Sequence, residues 1–379
     1  MTAAMTRPVS RFLLICALLS SVAATGAQTQ RAEPRDPYPP PPTPVLPVLG
    51  GTPGQPLLGR LRVFEDWAVG CDNRLTCSAV SLLPAGVGET YAVLVWIERA
   101  GGPGGQANIE LSGAYDLKGR IDLFIDNEAA GQLMAARDSA RATGPAALTL
   151  IRRLGSSYSF NLRQGKAPVA APSLSGLAEA LRYIDETQGR IGSAAALAAI
   201  GDKPATLARP LPAGVSVPLS PDGPPPDGAV ALNDEEQQAA RRLAVCDGRL
   251  RNNYPIETHP LDRSHVLVLL ACDAGADNVS STVLIASGEP GARQFQIARF
   301  DLMPGFTGAP GTPPLIVNAK WNPARALLSS FSRGRPLGDC GTSESYRWDG
   351  AMFRLTEARA MPVCRGAWEW PVIWSAAAP

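Results

Sequence analysis

The sequence predicts a β-rich α+β fold: a β-sandwich-like first domain with short helices, then a second antiparallel β-rich domain opening on a helix. Three observations predict it. The 379 residues include 37 glycines and 36 prolines, a balance that favours turns and short strands over long helices. Short runs of β-branched and aromatic residues recur between turn signals. Six of the seven cysteines, Cys71, Cys77, Cys246, Cys272, Cys340 and Cys364, lie in those two regions, an even set that reads as a disulfide framework.

The chain opens on a targeting pattern. Arg7 and Arg11 precede an apolar run from Phe12 to Ala24, and Thr25-Gly26-Ala27 fits a cleavage site before Gln28. The run is shorter than the roughly 20 apolar residues of a bilayer span, so residues 1–27 read as a cleaved signal peptide. Cys16 follows Ile15, where lipidation would want a small residue. The expected location is the periplasm of a Gram-negative bacterium, or the outside of the cell, with no stable membrane span after cleavage. Formal net charge is +1, and loss of the two leader arginines leaves the mature chain near −1. Such a chain has no basic field for nucleic acid. Residues 28–60, with Tyr38-Pro-Pro-Pro-Pro-Thr-Pro44, read as an extended tether that lacks the donors a helix or sheet requires.

The first domain spans residues 61–205. Phe64 to Val80 reads as a hairpin stapled by Cys71 and Cys77, with Asp72-Asn73 supplying the turn. Strands are expected at Tyr91–Ile97, Ala107–Leu111, Ile121–Ile125, Leu148–Ile151 and Tyr158–Leu162. Gly101-Gly-Pro-Gly-Gly105 reads as a hairpin loop, since no Lys-Ser/Thr follows to make a phosphate cradle. Leu177, Ala180, Leu181 and Ile184 share one helical face, with Ser175 as the expected cap and Gly189 as the stop. A second short helix is expected from Ser193 to Ile200. Between them, Asp185 to Arg190 reads as a solvated helix end.

Residues 206–231, rich in proline and glycine, read as a linker, and residues 232–379 as a disulfide-stapled second domain. Asn233 and Glu236 have capping-box spacing. Strands are expected at His265–Ala271, Thr282–Ala286, Phe295–Phe300, Leu315–Ala319 and Ala326–Phe331, then a hairpin with a type I′ turn at Asp349-Gly350. Closeness along the chain suggests the pairs Cys71–Cys77, Cys246–Cys272 and Cys340–Cys364. Loop closure gives about 2 kcal/mol for the first and about 3–4 kcal/mol for each of the others.

Several landmarks recur together: Asp66-Trp67 before Cys71-Asp72-Asn73 and Cys77; Gly176-Leu177 to Asp185; Gln188-Gly189-Arg190-Ile191-Gly192; Gly334-Arg335; Gly338-Asp339-Cys340-Gly341; Trp348-Asp349-Gly350; Cys364-Arg365-Gly366. This combination resembles the DUF1176 group of exported bacterial proteins of unknown function. The first half is also similar, more weakly, to invasion-associated locus B proteins, which implies a β-sandwich there. The resemblance implies no reaction.

Chemistry is sparse. The two histidines, His259 and His265, share one loop, and a serine hydrolase would place one of them beside an activated serine. No Gly-x-Ser-x-Gly elbow occurs, and no Cys-x-x-Cys pair suits a reactive dithiol or zinc. No catalytic, metal or cofactor residue is assigned. Trp348, Trp368, Trp370 and Trp374 crowd the C-terminal end, a ligand surface if exposed and core if buried. The expected function is a non-catalytic envelope binding or interaction module, with an envelope protein or glycan as ligand. The alternative is a hydrolase of an envelope polymer acting through the His259–His265 loop.

Overall fold

The computed structural model describes residues 55–376, apart from 88–92, 114–116, 227, 229, 245, 247–249, 251–253 and 307–312. The expected signal peptide, residues 1–27, and residues 28–54 of the expected tether lie outside the described residues.

The first half forms strands β1 (Leu61–Phe64), β2 (Trp67–Cys71), β3 (Cys77–Ser81), β4 (Leu94–Arg99), β5 (Ala107–Ser112), β6 (Gly119–Ile125), β7 (Glu128–Ala136) and β8 (Ser139–Thr143). Helix α1 (Gly144–Gly155), strands β9 (Phe160–Gln164) and β10 (Ala167–Ala170), and helix α2 (Leu177–Thr187) follow. The ten strands make one antiparallel sheet in the order β1-β2-β3-β4-β5-β8-β7-β6-β9-β10. One core unites its inner face with α1 and α2, from Trp67 and Ile97 through Phe160 to Ile151 and Leu181.

Four local expectations are corrected here. Leu148–Ile151 lies inside α1, where Ala147, Ile151 and Leu154 are buried at helical spacing. A four-residue apolar run cannot separate helix from strand. Ser175 does not cap α2; the cap is Gly176 at φ 86°. A Cβ at Gly176 would lie 2.0 Å from the Phe64 carbonyl oxygen, so the position suits glycine alone. Ser193–Ile200 is a series of turns, because the amides of Leu197, Ala198 and Ala199 donate to the Asp185 carboxylate at 2.7, 2.9 and 3.0 Å instead of to helical carbonyls.

The fourth correction concerns Asp185 to Arg190. Asp185 and Arg190 are both 0 % exposed. Gln188 Nε2 donates to the carbonyls of Leu75 (2.7 Å) and Arg99 (2.8 Å), and its Oε1 accepts from Arg190 Nε (2.8 Å). Arg190 Nη2 donates to the Gly102 carbonyl at 2.5 Å. This polar segment ties the end of α2 to two loops. Burial, then the neighbouring Arg190, pulls the Arg99 guanidinium down to about 10.

The second half opens on α3 (Asp234–Ala244), which is followed by β11 (Glu257–Pro260), β12 (His265–Ala274), β13 (Val279–Ser287), β14 (Gln294–Ile297) and β15 (Leu315–Val317). Then come β16 (Lys320–Asn322), β17 (Leu327–Arg333), β18 (Gly341–Trp348), β19 (Phe353–Met361) and β20 (Val372–Ser375). They form two antiparallel five-stranded sheets: β11-β12-β13-β14 with β15 on β13, and β16-β17-β18-β19-β20. Alternation explains the apolar run of β12. Leu267 and Leu269 face the second sheet's Tyr346, Trp348 and Phe353, while Val268 and Leu270 face Ala240 and Ala244 of α3.

The capping box forms: the Asn233 amide donates to Glu236 Oε2 (3.0 Å), and the Glu236 amide to Asn233 Oδ1 (2.8 Å). Glu236 Oε1 also accepts from the Gly291 amide at 2.9 Å, which docks α3 on the loop before β14. The β18–β19 turn is longer than the expected type I′, since Trp348 pairs with Phe353. Asp349 Oδ1 caps the four intervening residues by accepting from the Ala351 and Met352 amides, both at 2.8 Å. All three disulfides form, Cys71–Cys77, Cys246–Cys272 and Cys340–Cys364.

Strands β2 to β4 are buried on both faces. Trp67, Val69, Val95 and Ile97 point into the first core, while Ala68, Val80, Leu94 and Trp96 pack against Cys340, Met361 and Trp370 of the second half. Polar bonds line this seam. Arg365 Nε donates to the Leu83 carbonyl at 2.7 Å, and the Leu83 amide to the Arg365 carbonyl at 2.9 Å. Ser375 Oγ donates to Asp72 Oδ2 (2.8 Å), its amide to Asn73 Oδ1 (2.8 Å), and the Gly59 amide to the Ile373 carbonyl (2.7 Å).

Candidate functional site

Two places combine polar chemistry with access. The first is the hairpin between β11 and β12, which carries both histidines. His259 and His265 lie on paired strands, His259 opposite Leu267 and Pro260 opposite Val266. His265 Nδ1 lies 2.9 and 3.0 Å from the two oxygens of Asp262, so Nδ1–H donates to the carboxylate. The His265 ring meets Trp348 edge-on, with centroids 5.3 Å apart.

Asp262 is the hub of this cluster. Its Oδ2 accepts from Ser220 Oγ (2.6 Å) and Trp348 Nε1 (2.8 Å), and its Oδ1 from the Ser264 (2.9 Å) and His265 (2.7 Å) amides. Burial opposes its charge, but these donors outweigh burial and hold its carboxyl below the usual range. Asp222 approaches His265 Nδ1 at 3.7 Å. The proline-rich segment is thus pinned at Ser220 and Asp222. Ser220, Asp262 and His265 have the composition of a catalytic triad in the wrong order. The carboxylate stands between serine and histidine, so the Ser220 hydroxyl donates to Asp262 and the imidazole that would act as its general base is held away by that carboxylate. Asp222, Asp262 and His265 also place three ligand atoms within 4.8 Å of one another. A cation there would displace the donors that already occupy Asp262.

The second place is a cavity of about 430 Å³ on the seam. It gathers residues from six separate stretches: Leu57 near the start of the described residues, Asn73 of the stapled turn, Val217 of the proline-rich segment, and Asp301, Arg354 and Trp374 of the second half. Asp301 Oδ1 accepts from the Leu355 amide at 2.9 Å, and burial raises its carboxyl above the usual range. Arg354 Nε donates to Asp349 Oδ2 at 2.6 Å. Sequence reasoning missed Asp301 and Arg354. Neither stands in a motif, and only the tertiary fold brings them beside residues 57 and 217.

The tryptophans point inward. Trp348, Trp370 and Trp374 are each 3 % exposed, and Trp368 is half-buried. Trp370 stacks on Phe331, with centroids 5.0 Å apart, and donates Nε1 to the Ala367 carbonyl at 2.9 Å. Trp374 alone of the four borders the seam cavity.

The landmark residues of the sequence are mostly structural. Asp339 accepts from Arg335 Nε (2.7 Å) and from the Gly366 amide (2.6 Å), which knits together the loops around Cys340–Cys364. Among known proteins, the uncharacterized protein YpfG of Escherichia coli (strain K12) is 28 % identical over 333 residues, covering 83 % of this chain and 92 % of that protein. The crystal structure of invasion associated protein B from Bartonella henselae matches with a TM-score of 0.27 and 12 % identity, covering 34 % of this chain and 99 % of that one. The model for proteins of unknown function, DUF1176, matches residues 61–377, and the chain belongs to that family.

Proposed function

We propose that this chain is an exported, periplasmic protein whose mature part is a non-catalytic binding module of the cell envelope. Its two domains, residues 61–205 and 232–379, are joined by the linker 206–231. The observation that carries the binding reading is the seam cavity, which has apolar walls and two charged side chains, the general make-up of a small-ligand site. Three bonded cysteine pairs and the leader pattern support export, since disulfides persist in oxidising compartments. The order Ser220–Asp262–His265 argues against a serine hydrolase at the histidine loop.

Two experiments test this reading. Osmotic-shock fractionation with N-terminal sequencing should recover a periplasmic chain starting at Gln28; a cytoplasmic chain with free thiols would overturn export. Complementation of a deletion strain separates binding from hydrolysis. Val217→Trp, which fills the cavity, should abolish complementation, and the His259→Ala/His265→Ala double variant should retain it. The reverse pattern would favour the hydrolase.

A further inference from the structure

We propose that the seam cavity takes an organic cation, an ammonium or guanidinium on a short apolar stem, with the charge at Asp301 and the stem against Leu57, Val217 and Trp374. This rests on the binding reading above and adds the class of ligand.

Charge matching is the first argument. Asp301 and Arg354 line the cavity, and Asp349, outside that lining, pairs with Arg354, so two carboxylates share one guanidinium. Arg354 commits its Nε to Asp349 at 2.6 Å. Asp301 also feels Arg354, but only as a secondary influence behind burial and the Leu355 amide. One negative charge therefore stays poorly compensated at a wall shared with Leu355 and Trp374. The raised carboxyl of Asp301 expresses the same deficit, because ionisation in a half-dry place wants a cation nearby.

Competing ligands fit less well. An anion would need Arg354, whose best donor geometry Asp349 already uses, and it would sit beside Asp301 at a repulsive distance. A neutral apolar molecule would cover Asp301 without pairing it, at a desolvation cost. Asn73 Oδ1 already accepts from the Ser375 amide, which leaves the Asp301 carboxylate as the main acceptor for a cation. Gln55 and Ser216 add polar groups to the lining, and Pro56, Leu57, Val217 and Trp374 supply the apolar surface that suits a hydrocarbon stem. The cavity is open on one side to Leu57 and Val215, both substantially exposed, so a ligand can enter without moving either sheet.

The test uses three matched probes on the isotopically labelled mature chain: hexylammonium, 1-hexanol and hexanoate, each titrated by two-dimensional amide NMR. Hexylammonium should shift the Leu355 amide and the Trp374 indole, with an affinity at least about fivefold above the other two, as a charge-assisted contact in a partly dry site implies. Asp301→Asn keeps an oxygen for the Leu355 amide and removes the charge; it should erase the preference, with hexylammonium binding no more tightly than 1-hexanol. Val217→Trp should block all three probes. If 1-hexanol binds as tightly as hexylammonium, or Asp301→Asn keeps the preference, the cation assignment falls and the binding reading stands. If no probe moves the cavity signals, both fall.

Discussion

The guanidinium of Arg365 donates to the carboxylate of Asp66, two residues 299 positions apart in the chain. The same side chain also reaches the Leu83 and Glu65 carbonyls, each at 2.7 Å. One arginine therefore satisfies three acceptors of the first half from a loop of the second. Asp66-Trp67 and Cys364-Arg365-Gly366 are both among the landmarks read from the sequence, and the seam is what couples them.

Arg365→Ala leaves a mostly buried carboxylate and two carbonyls without their donor. The expected loss is about 3 kcal/mol, within the range for breaking one side of a buried pair. Thermal melts of the variant beside Arg365→Lys would measure it. The lysine should recover only part, since it offers a point charge in place of a fork. Equal stability of wild type and Arg365→Ala would show that the contact is incidental.

No disulfide crosses the seam, so its cohesion is non-covalent. Leu211 and Val215 are exposed, and a specific protease site inserted between them should be cleaved readily. The two fragments are expected to co-elute on gel filtration without denaturant. Apolar packing of Val80, Leu94 and Trp96 against Met361 and Trp370 holds them together. In the Arg365→Ala background they should separate more readily on dilution. Spontaneous separation of the wild-type fragments would contradict this.

Glu344 gives a pH prediction. It lies on the inner face of β18 with neither carboxyl oxygen in a completed hydrogen bond, and burial pushes its carboxyl up to about 7. The nearby Thr342 and Ser330 hydroxyls and Gly305 amide offset only part of this. The folded value lies above the unfolded one, near the ordinary 4.5. The folded chain therefore holds a proton that the unfolded chain releases, and this contribution is complete below about pH 4.5 and lost as pH rises through about 7. Its size is about 3 kcal/mol. Urea unfolding across pH 5 to 8 should show the decline, and Glu344→Gln should flatten it and be the more stable protein at pH 8. An unchanged slope in the variant would assign the decline to other groups.

Alkylation of the mature protein without reductant should find no free thiol. Reduction is expected to cost the second half more than the first. Its two cross-links close loops with separations of 26 and 24 residues, each worth about 3–4 kcal/mol, against about 2 kcal/mol for the six-residue separation of Cys71–Cys77. Replacing each pair by serines and comparing melting temperatures would test the order.

Much of this fold could be read locally. The cysteine-closed hairpin, α2, the Asn233–Glu236 capping box and the β12–β13 strands follow from spacing and turn chemistry. What failed was governed by distant contacts. Asp185 to Arg190 looks solvated because five polar side chains around one glycine usually are, and nothing nearby announces that Leu75, Arg99 and Gly102 will meet them. Glu344 was legible in principle. It shares parity with Tyr346 and Trp348, so burying those rings obliges the carboxyl to enter the core as well. The cavity was not legible at all, since its walls come from positions as far apart as 57 and 374.

The stapled turn at Asp72-Asn73 closes around Ser375, which means that an early hairpin of the fold, β2 with β3, is finished by β20, the last strand described. A growing chain can oxidise Cys71 and Cys77 and pair β2 with β3, yet the outward face of that hairpin stays wet until residues 361 to 375 exist. Contacts of such long sequence separation are slow to find, and these cannot form before residues 361 to 375 have been made. A chain that has not yet reached residue 361 would thus keep Ala68, Val80 and Trp96 accessible to a holding chaperone.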